Sequence, residues 1–212
     1  MLDGGPERWK PNPTACNLEL AATLRGADSG RRAAIREFAP EVTITMPTKP
    51  SILGDRLPSA GLRHVLVQHT DTAFQELAAS ASLSLVVMTP FLNEEGARWA
   101  LDILSSSKAA TKILVIRNRS KIRPEVRPIL SEICARSVQV FDYYLPVEVR
   151  EYETFHAKVV LADDRLAYLG SANFLRYRRH SVEMGVVVKG EAAKTVHFVV
   201  SAILGIAQPI AY

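Results

Sequence analysis

The residues of this sequence that are best suited to chemistry lie between positions 156 and 173. They read His156-Ala157-Lys158, then four residues, Asp163, six residues and Gly170-Ser171-Ala172-Asn173. Residues two apart on a strand project from the same face, so the imidazole of His156 and the ammonium of Lys158 are expected side by side. The next strand is expected to end at Gly170, which brings Ser171 and Asn173 near them. These groups suit a phosphoryl group, because they supply a nucleophile, a cation and donors for its oxygens.

This spacing, H-x-K-x4-D-x6-G-S-x-N, resembles the HKD motif of the phospholipase D superfamily at every defining position. Six residue types at this fixed spacing are expected by chance in far fewer than about one in 100,000 chains of this size, so the motif is specific. Two flanking segments resemble the superfamily more loosely. They are the strand–Thr89-Pro90-Phe91–helix–strand order over 83–116 and Ser181-Val182-Glu183-Met184-Gly185. Together the resemblance covers residues 62–206.

The resemblance implies a role for each matching residue and requires no metal and no cofactor. His156 is expected to be the nucleophile and to form a phosphohistidine intermediate. Lys158 and Asn173 are expected to hold the phosphate oxygens, and Ser171 to add a hydrogen bond. Glu183 is the candidate to accept from the other ring nitrogen of His156 and fix its tautomer. A surface charge on a strand edge is the alternative for Glu183.

Two positions in the resemblance are less secure. Asp163 is a candidate catalytic residue, but in the turn Ala162-Asp163-Asp164-Arg165 we favour a structural role, in which its carboxylate accepts from backbone N–H groups. Relatives often carry asparagine two places before the glutamate, where this chain has Ser181. This difference puts a secondary hydrogen bond in doubt without affecting the core reaction.

The presence of one HKD motif predicts a homodimer. The family reaction needs two histidines, one that attacks and one that protonates the leaving oxygen. No other histidine has a lysine two residues later and no second G-S-x-N occurs; these other histidines are His64, His69, His180 and His197. A two-fold dimer in which both chains contribute His156 to one cleft supplies the missing group.

Two basic stretches bear on the substrate. The first, directly after the motif, supplies the substrate-binding candidates Arg176, Arg178, Arg179 and His180. These cations, with Tyr177 between them, can bind a phosphate backbone and stack on a base, but a lipid headgroup site or a solvated loop is also possible. The second, which could extend a groove, comprises Lys112, Arg117, Arg119, Lys121, Arg123 and Arg127. Four acidic residues upstream of His156 are expected to narrow or gate the cleft: Asp142, Glu148, Glu151 and Glu153.

The elements that position these residues are predicted to form an α/β fold, a mixed β-sheet flanked by helices on both faces. Apolar strands at 83–88, 113–116 and 138–141 alternate with helices at 93–107 and 124–136. Strands at 155–162, 166–169 and 184–188 and a helix at 191–206 follow. Residues 1–60 hold seven of the 12 prolines and are predicted to be an arm with helices near 16–25 and 30–39 and an irregular connector. Residues 61–212 form the expected catalytic domain, which begins with a helix over 62–80.

Composition limits the location and the partners. The 48% hydrophobic share of the 212 residues supports a core, and the net charge of +4 mildly favours anionic partners. Two cysteines without metal-ligand spacing indicate reduced thiols. Because neither a signal peptide nor a membrane span is apparent, we expect a cytoplasmic protein without stable membrane insertion.

Three functions therefore remain open. A phosphodiester hydrolase acting on DNA or RNA is favoured, ahead of a phospholipid hydrolase or transferase. The third is a catalytically silent subunit that binds nucleic acid or assembles a complex. The layout also resembles the phospholipase-like component of the bacterial DISARM anti-phage system, which implies protein partners of a defence complex.

Overall fold

The computed structural model describes residues 18–45, 67–149, 151–175 and 181–211. The chain divides into two compact units, Met1–Ala39 and Pro40–Tyr212. In the first unit, helix α1 (Leu18–Phe38) is continuous, where the sequence predicted two shorter helices. Gly26, in the expected break, costs a helix about 1 kcal/mol without forbidding it, and an Arg31–Asp28 ion pair of 2.9 Å joins the break to the second predicted helix.

The second unit contains the remaining elements. Its strands are β1 (Glu41–Thr45), β2 (Val67–His69), β3 (Ser84–Thr89), β4 (Thr111–Ile116), β5 (Val138–Asp142), β6 (Tyr144–Glu148), β7 (Glu151–Thr154), β8 (Lys158–Ala162), β9 (Leu166–Gly170), β10 (Glu183–Lys189) and β11 (Gln208–Ile210). Its helices are α2 (Thr70–Ser80), α3 (Glu94–Ser106), α4 (Arg127–Ala135) and α5 (Glu191–Ile206). Two short 3₁₀ turns lie at Arg119–Lys121 and Pro124–Val126.

Within the described residues, nine strands form one mixed sheet in the order β11-β5-β4-β3-β8-β9-β10-β1-β2. Strands β3, β4 and β5 are parallel, whereas β8 runs antiparallel to both β3 and β9. Strands β6 and β7 form a separate hairpin. The α/β class and the mixed sheet predicted from the sequence are therefore confirmed.

The sheet has a hydrophobic core on each face. Successive residues of β3 point to opposite sides, so Leu85 and Val87 lie in one core and Val86 and Met88 in the other. The first core takes in buried residues of α2, α3 and α4, and the second takes in Ala193 and Val200 of α5. Helices on both faces are thus confirmed. None of the helices described here has both the length and the apolarity needed to cross a bilayer.

Three segments differ from the predicted elements. Residues 41–45, assigned to an irregular connector, form β1, which pairs with β10 and β2. Its β-branched residues favour a strand, but the prolines around them hid the pattern. Of the helix expected over 62–80, residues 62–66 lie outside the described residues, 67–69 form strand β2, and only Thr70–Ser80 are helical. The expected loop at 142–154 contains the β6–β7 hairpin. The second compact unit begins at Pro40. The division of the chain into an arm over 1–60 and a catalytic domain over 61–212 stays a prediction.

Asp163 fixes the start of β3 against the end of β8. It is only 4% exposed and lies in the left-handed region, with φ of 56°. Its carboxylate accepts from the backbone N–H groups of Ser84 (2.9 Å), Leu83 (2.8 Å) and Ser82 (3.3 Å), and from the Ser82 hydroxyl. Burial alone raises the pKa of Asp163, but these donors outweigh it and hold the pKa below its ordinary value of 3.8.

Of the two roles predicted for Asp163, its position supports the structural one. The length of β8 separates it from Lys158 by roughly 15 Å at the usual rise of a strand. A direct catalytic role, as entertained from the motif, requires a contact that this separation prevents.

We expect Asp163→Asn to lower the free energy of unfolding by about 1–3 kcal/mol at neutral pH, because the N–H groups of 82–84 lose a charged acceptor. Asp163 has a depressed pKa in the folded state, so its contribution is complete above about pH 4 and is lost as the pH falls through the folded-state value. The difference between wild type and variant should therefore shrink below pH 4. Urea unfolding at several pH values measures it, with the exposed Asp164→Asn as the matched control. An equal effect of the two variants would contradict this role.

Candidate active site

Strand register brings the motif to one edge of the sheet. Lys158, the first residue of β8, is paired with Gly170, the last residue of β9. Gly170 is in turn paired with Gly185 in β10. Because β8 is antiparallel to β3, this edge also holds the carboxyl ends of the parallel strands β3, β4 and β5.

His156 and Lys158 are in contact, as their spacing predicted, but the strand predicted over 155–162 begins only at Lys158, so His156 lies just before it. The Lys158 Nζ donates to the His156 backbone oxygen at 2.8 Å and lies 3.1 Å from Nδ1 of the same residue. His156 is exposed, whereas Lys158 is only 5% exposed. Burial lowers the pKa of Lys158 from its ordinary value of 10.5, and the Glu183 carboxylate raises it by less. The pair thus places an accessible imidazole beside a partly desolvated cation.

Ser171 and Glu183 are also brought together. The Ser171 N–H donates to the Met184 oxygen at 3.0 Å, and the Met184 N–H donates to the Ser171 hydroxyl oxygen at 3.1 Å. The Ser171 hydroxyl donates to Oε2 of Glu183, and the Ser181 hydroxyl donates to Oε1 at 3.3 Å. Ser181 therefore supplies a hydrogen bond that the sequence comparison had put in doubt.

The predicted partner of Glu183 was the other ring nitrogen of His156. The observed hydrogen bonds of Glu183 go to the two serine hydroxyls instead, and its link to the His156–Lys158 pair is its electrostatic effect on Lys158. Orientation of His156 by Glu183 stays a prediction.

Asn173 is held at the site by its neighbour. The Asn173 side-chain amide donates to the Ser171 oxygen at 3.4 Å, and its Oδ1 is buried without a hydrogen-bond partner in the described part of the chain. The adjacent Phe174 is 1% exposed, its ring lies tilted against Trp99 with centroids 4.5 Å apart, and its backbone oxygen accepts from the Asn93 N–H at 3.3 Å. Packing of Phe174 therefore sets the position of Asn173.

Glycines permit two close approaches around the site. A Cβ on Gly96 in α3 would lie 1.8 Å from the Phe174 oxygen, so only glycine lets this helix reach the Asn173 segment. A Cβ on Gly170 would lie 2.2 Å from the hydroxyl of the fully buried Tyr168 and 2.8 Å from Cα of Gly185. The glycine of the G-S-x-N motif thus makes room for a buried ring.

Sequence reasoning missed the ring next to the nucleophile candidate. Phe91, two residues after β3, lies edge-on to the His156 ring with centroids 5.5 Å apart. Arg117, the first residue after β4, lies 5.9 Å from the centre of the Phe91 ring. Their positions after neighbouring parallel strands are the signal that could have found them.

A cleft of about 1110 Å³ opens beside Phe91. The second basic stretch contributes Arg117, Lys121 and Arg123 to its wall, in partial agreement with the predicted groove. Lys112 does not contribute, since its Nζ donates to the Ser107 oxygen near the opposite end of β4. His156 and Lys158 adjoin the cleft through Phe91 but do not line it.

Two of the acidic residues expected to gate the cleft have structural roles. Asp142 is 6% exposed and accepts from the N–H groups of Asn118 at 2.7 Å and Arg119 at 2.9 Å. Glu153 accepts from the Tyr143 hydroxyl at the base of the hairpin, a bond that, with burial, raises the pKa of Tyr143 to about 12. The other two, Glu148 and Glu151, are exposed in the hairpin.

The remaining predicted residues lie elsewhere. The substrate-binding candidates Arg176, Arg178, Arg179 and His180 fall outside the described residues. His69 is exposed at the end of β2, and His197 in α5 lies 3.3 Å from the Ser201 hydroxyl. In residues 18–45, 67–149, 151–175 and 181–211, no three His, Cys, Asp or Glu side chains are grouped as ligands for a metal ion.

Comparison with known proteins gives one family. The protein-family model described as "Cardiolipin synthase, PLD-like domain" matches residues 74–199, more than half of the chain. The matched range contains His156, Lys158, Ser171, Asn173 and Glu183. No curated protein sequence matches.

Solved structures provide similar folds. A phospholipase D family member, Nuc from Salmonella typhimurium, has a TM-score of 0.56 and 14% identity, covering 82% of this chain and 99% of that one. NucT from Helicobacter pylori has a TM-score of 0.51 and 15% identity, covering 66% and 89%. At such identities the likeness concerns the fold alone. The comparisons bring no support to the resemblance with the DISARM component, so defence partners stay a hypothesis.

We expect Glu183→Gln to lower the pKa of Lys158 further, because the carboxylate favours the ammonium form. NMR titration of protein with ¹³C-labelled lysine measures this pKa, and the Lys158 signal is assigned by its loss in Lys158→Arg. Glu148→Gln, which removes an exposed hairpin carboxylate, is the matched control. An unchanged titration in Glu183→Gln would show that the two groups do not interact.

Proposed function

The chain belongs to the PLD-like domain family, and we propose that it is a metal-independent phosphodiesterase that acts on nucleic acid through a phosphohistidine intermediate in a homodimer. The observation that carries the proposal is the exposed His156 imidazole beside the buried Lys158 ammonium, with Ser171, Asn173 and Glu183 at the same sheet edge. In a family of phosphodiester enzymes, this set of groups matches the demands of attack at phosphorus.

The reaction proceeds in two steps. A ring nitrogen of His156 forms a bond to phosphorus while the ester P–O bond breaks, and the leaving oxygen takes a proton from a second imidazole. Water then attacks phosphorus, loses its proton to that imidazole and releases His156. Lys158 and the Asn173 amide balance the charge on the non-bridging oxygens. Burial lowers the pKa of Lys158, and the Glu183 carboxylate opposes this shift because it favours the ammonium form.

The second imidazole is assigned to His156 of the partner subunit. The described alternatives are distant in the fold: His69 ends a strand at the far side of the sheet, and His197 belongs to α5. The His156 side chain is exposed, which leaves it open to a partner across a two-fold axis.

Nucleic acid is proposed as the substrate because cations line the cleft beside His156. Phospholipid hydrolysis or transfer is the second candidate, favoured by the description of the matched family as cardiolipin synthase. A catalytically silent subunit that binds nucleic acid or assembles a complex is the third. The complete HKD motif argues against it, because a silent site has no need of the buried Lys158 cation. A cytoplasmic location stays a prediction.

We expect cleavage of a labelled single-stranded oligonucleotide to persist in EDTA and to fall by at least about 10³-fold in His156→Ala, because the nucleophile is removed. Acid quenching destroys a phosphohistidine and alkaline quenching preserves it, so a labelled protein band that survives only alkali identifies the intermediate. His197→Ala is the matched control. Turnover of phosphatidylglycerol without oligonucleotide cleavage would favour the lipid candidate, and no turnover of either would contradict the enzyme.

Dimeric catalysis predicts how inactive chains affect active ones. When wild type and His156→Ala are mixed and allowed to exchange subunits, activity should fall with the square of the wild-type fraction, because both imidazoles are needed. Turnover against mixing ratio, with light scattering for mass, measures it. Linear dependence, or a monomer with full activity, would contradict the shared site.

A further inference from the structure

The cleft beside Phe91 lies where open α/β sheets bind ligands. Phe91 follows β3, Arg117 and Asn118 follow β4, and Tyr144 lies two residues after the end of β5. These strands are parallel, so the loops at their carboxyl ends surround one crevice. The reaction proposed above uses groups at the edge of this crevice and leaves its interior without a role.

Phe91 is a large apolar ring that the fold leaves accessible. It is 42% exposed, although the side chains of His156 and Arg117 adjoin it. The Lys158 ammonium also lies 6.0 Å from its ring centre. An aromatic ring flanked by cations and open to a cleft is the arrangement with which proteins stack the bases of single-stranded nucleic acids.

The cations of the cleft differ in whether a carboxylate neutralises them. Arg98 pairs with Glu94 at 3.1 Å, and Arg123 lies 3.9 Å from Glu125. Arg117 and Lys121 form no ion pair with another described residue, and the Arg117 guanidinium makes a cation–π contact with the Phe91 ring. The positive charge available to an anion is therefore concentrated at Arg117 and Lys121.

We propose that Phe91, Arg117 and Lys121 form a nucleotide subsite next to the scissile phosphate. The Phe91 ring stacks on the base of the adjoining nucleotide, while Arg117 and Lys121 contact the phosphate on the far side of that nucleotide. The inference rests on the proposed function, since the scissile phosphate is the one attacked by His156. It identifies the substrate as a single strand or an unpaired end, because a base inside a duplex cannot leave its stack without cost.

The wall that carries Arg117 is held rigidly. The buried Asp142 carboxylate accepts from the N–H groups of Asn118 and Arg119, directly after Arg117. Asn118 adopts a left-handed backbone with φ of 59°, so the loop turns sharply there. The subsite is thus formed before a ligand binds, which reduces the entropy lost on binding.

The same features disfavour a phospholipid headgroup. A cationic headgroup would be repelled by Arg117 and Lys158, which lie 5.9 Å and 6.0 Å from the centre of the Phe91 ring, whereas a neutral base would not. The cleft also exceeds the roughly 300–1000 Å³ of typical small-ligand pockets, and its lining mixes apolar side chains such as Leu92 and Ile122 with charged ones such as Lys121. A strand of nucleotides, which combines apolar base faces with charged phosphates, matches both the size and the mixed lining of this cleft.

The test compares binding of two fluorescent 12-mers, oligothymidylate and an abasic strand with the same phosphates. Both are titrated by anisotropy in a His156→Ala background, so that the strands stay intact. We expect Phe91→Leu to weaken binding of oligothymidylate by about 5- to 150-fold, the range for loss of one base stack, and to change binding of the abasic strand by less than about 2-fold. Phe91→Trp, which keeps a ring, should retain the wild-type preference for bases.

Charge variants test the phosphate contacts. Lys121→Gln should weaken both strands equally and reduce the slope of log K against log salt by about 0.7, as expected for one lost contact on a single strand. Lys108→Gln, an equal charge change on the exposed loop between α3 and β4, is the matched control and should alter neither. Thermal unfolding of each variant checks folding.

The outcomes separate the subsite from the reaction. Three outcomes would overturn the subsite. These are an equal loss of affinity for both strands in Phe91→Leu, no loss of affinity for either strand, and binding of phosphatidylglycerol vesicles without binding of either strand. Cleavage is measured separately with His156 present. Base-dependent binding without cleavage would support the subsite and contradict the phosphodiesterase activity. Cleavage that is unaffected by Phe91→Leu would support the phosphodiesterase activity and contradict the subsite.

Discussion

The register of β8 between β3 and β9 is the constraint on which this site depends. In the observed register, Lys158 lies opposite Gly170, and the apolar residues after it alternate between the two cores. A shift by one residue would turn every side chain of β8 to the opposite face and move Lys158 out of its pairing with Gly170. The Asp163 carboxylate opposes such a shift, because its hydrogen bonds join the end of β8 to the start of β3.

Strand β8 thus has a residue of the candidate active site at its start and a residue that stabilises the fold just after its end. Lys158 is a buried cation at the site, and the cost of desolvating it is reduced by the His156 oxygen and by the nearby Glu183. Asp163 is a buried anion at the opposite end, where its carboxylate accepts from three backbone N–H groups, the Ser82 hydroxyl and the Arg165 guanidinium. The motif spacing between the two residues therefore corresponds to the length of a strand and does not imply contact between them.

The sequence predicted the part of the fold in which local pattern and burial agree. The β3–α3–β4–α4–β5 series and the strands around the motif have clear apolar runs, so their order and the mixed sheet followed. Strand β1 was missed because its five residues lie among prolines, and the β6–β7 hairpin was missed because six of its nine strand residues are exposed and form no apolar run. The proximity of His156 and Lys158 could be predicted from a spacing of two. The contacts of Phe91 and Arg117 could not, because they depend on how loops after different strands approach each other.

The hairpin that precedes His156 is closed at its own base. Tyr143 stacks on Phe155 with centroids 6.1 Å apart, and its hydroxyl donates a hydrogen bond to the Glu153 carboxylate. The Thr154 hydroxyl donates to the backbone oxygen of Tyr143 at 3.1 Å. Tyr144 and Tyr152 stack above this base at 4.3 Å. These contacts fix the path of the chain into His156 whatever the strands beyond them do. The hairpin can therefore be lengthened, shortened or exchanged during evolution as an independent module, without disturbing the geometry of the residue that follows it.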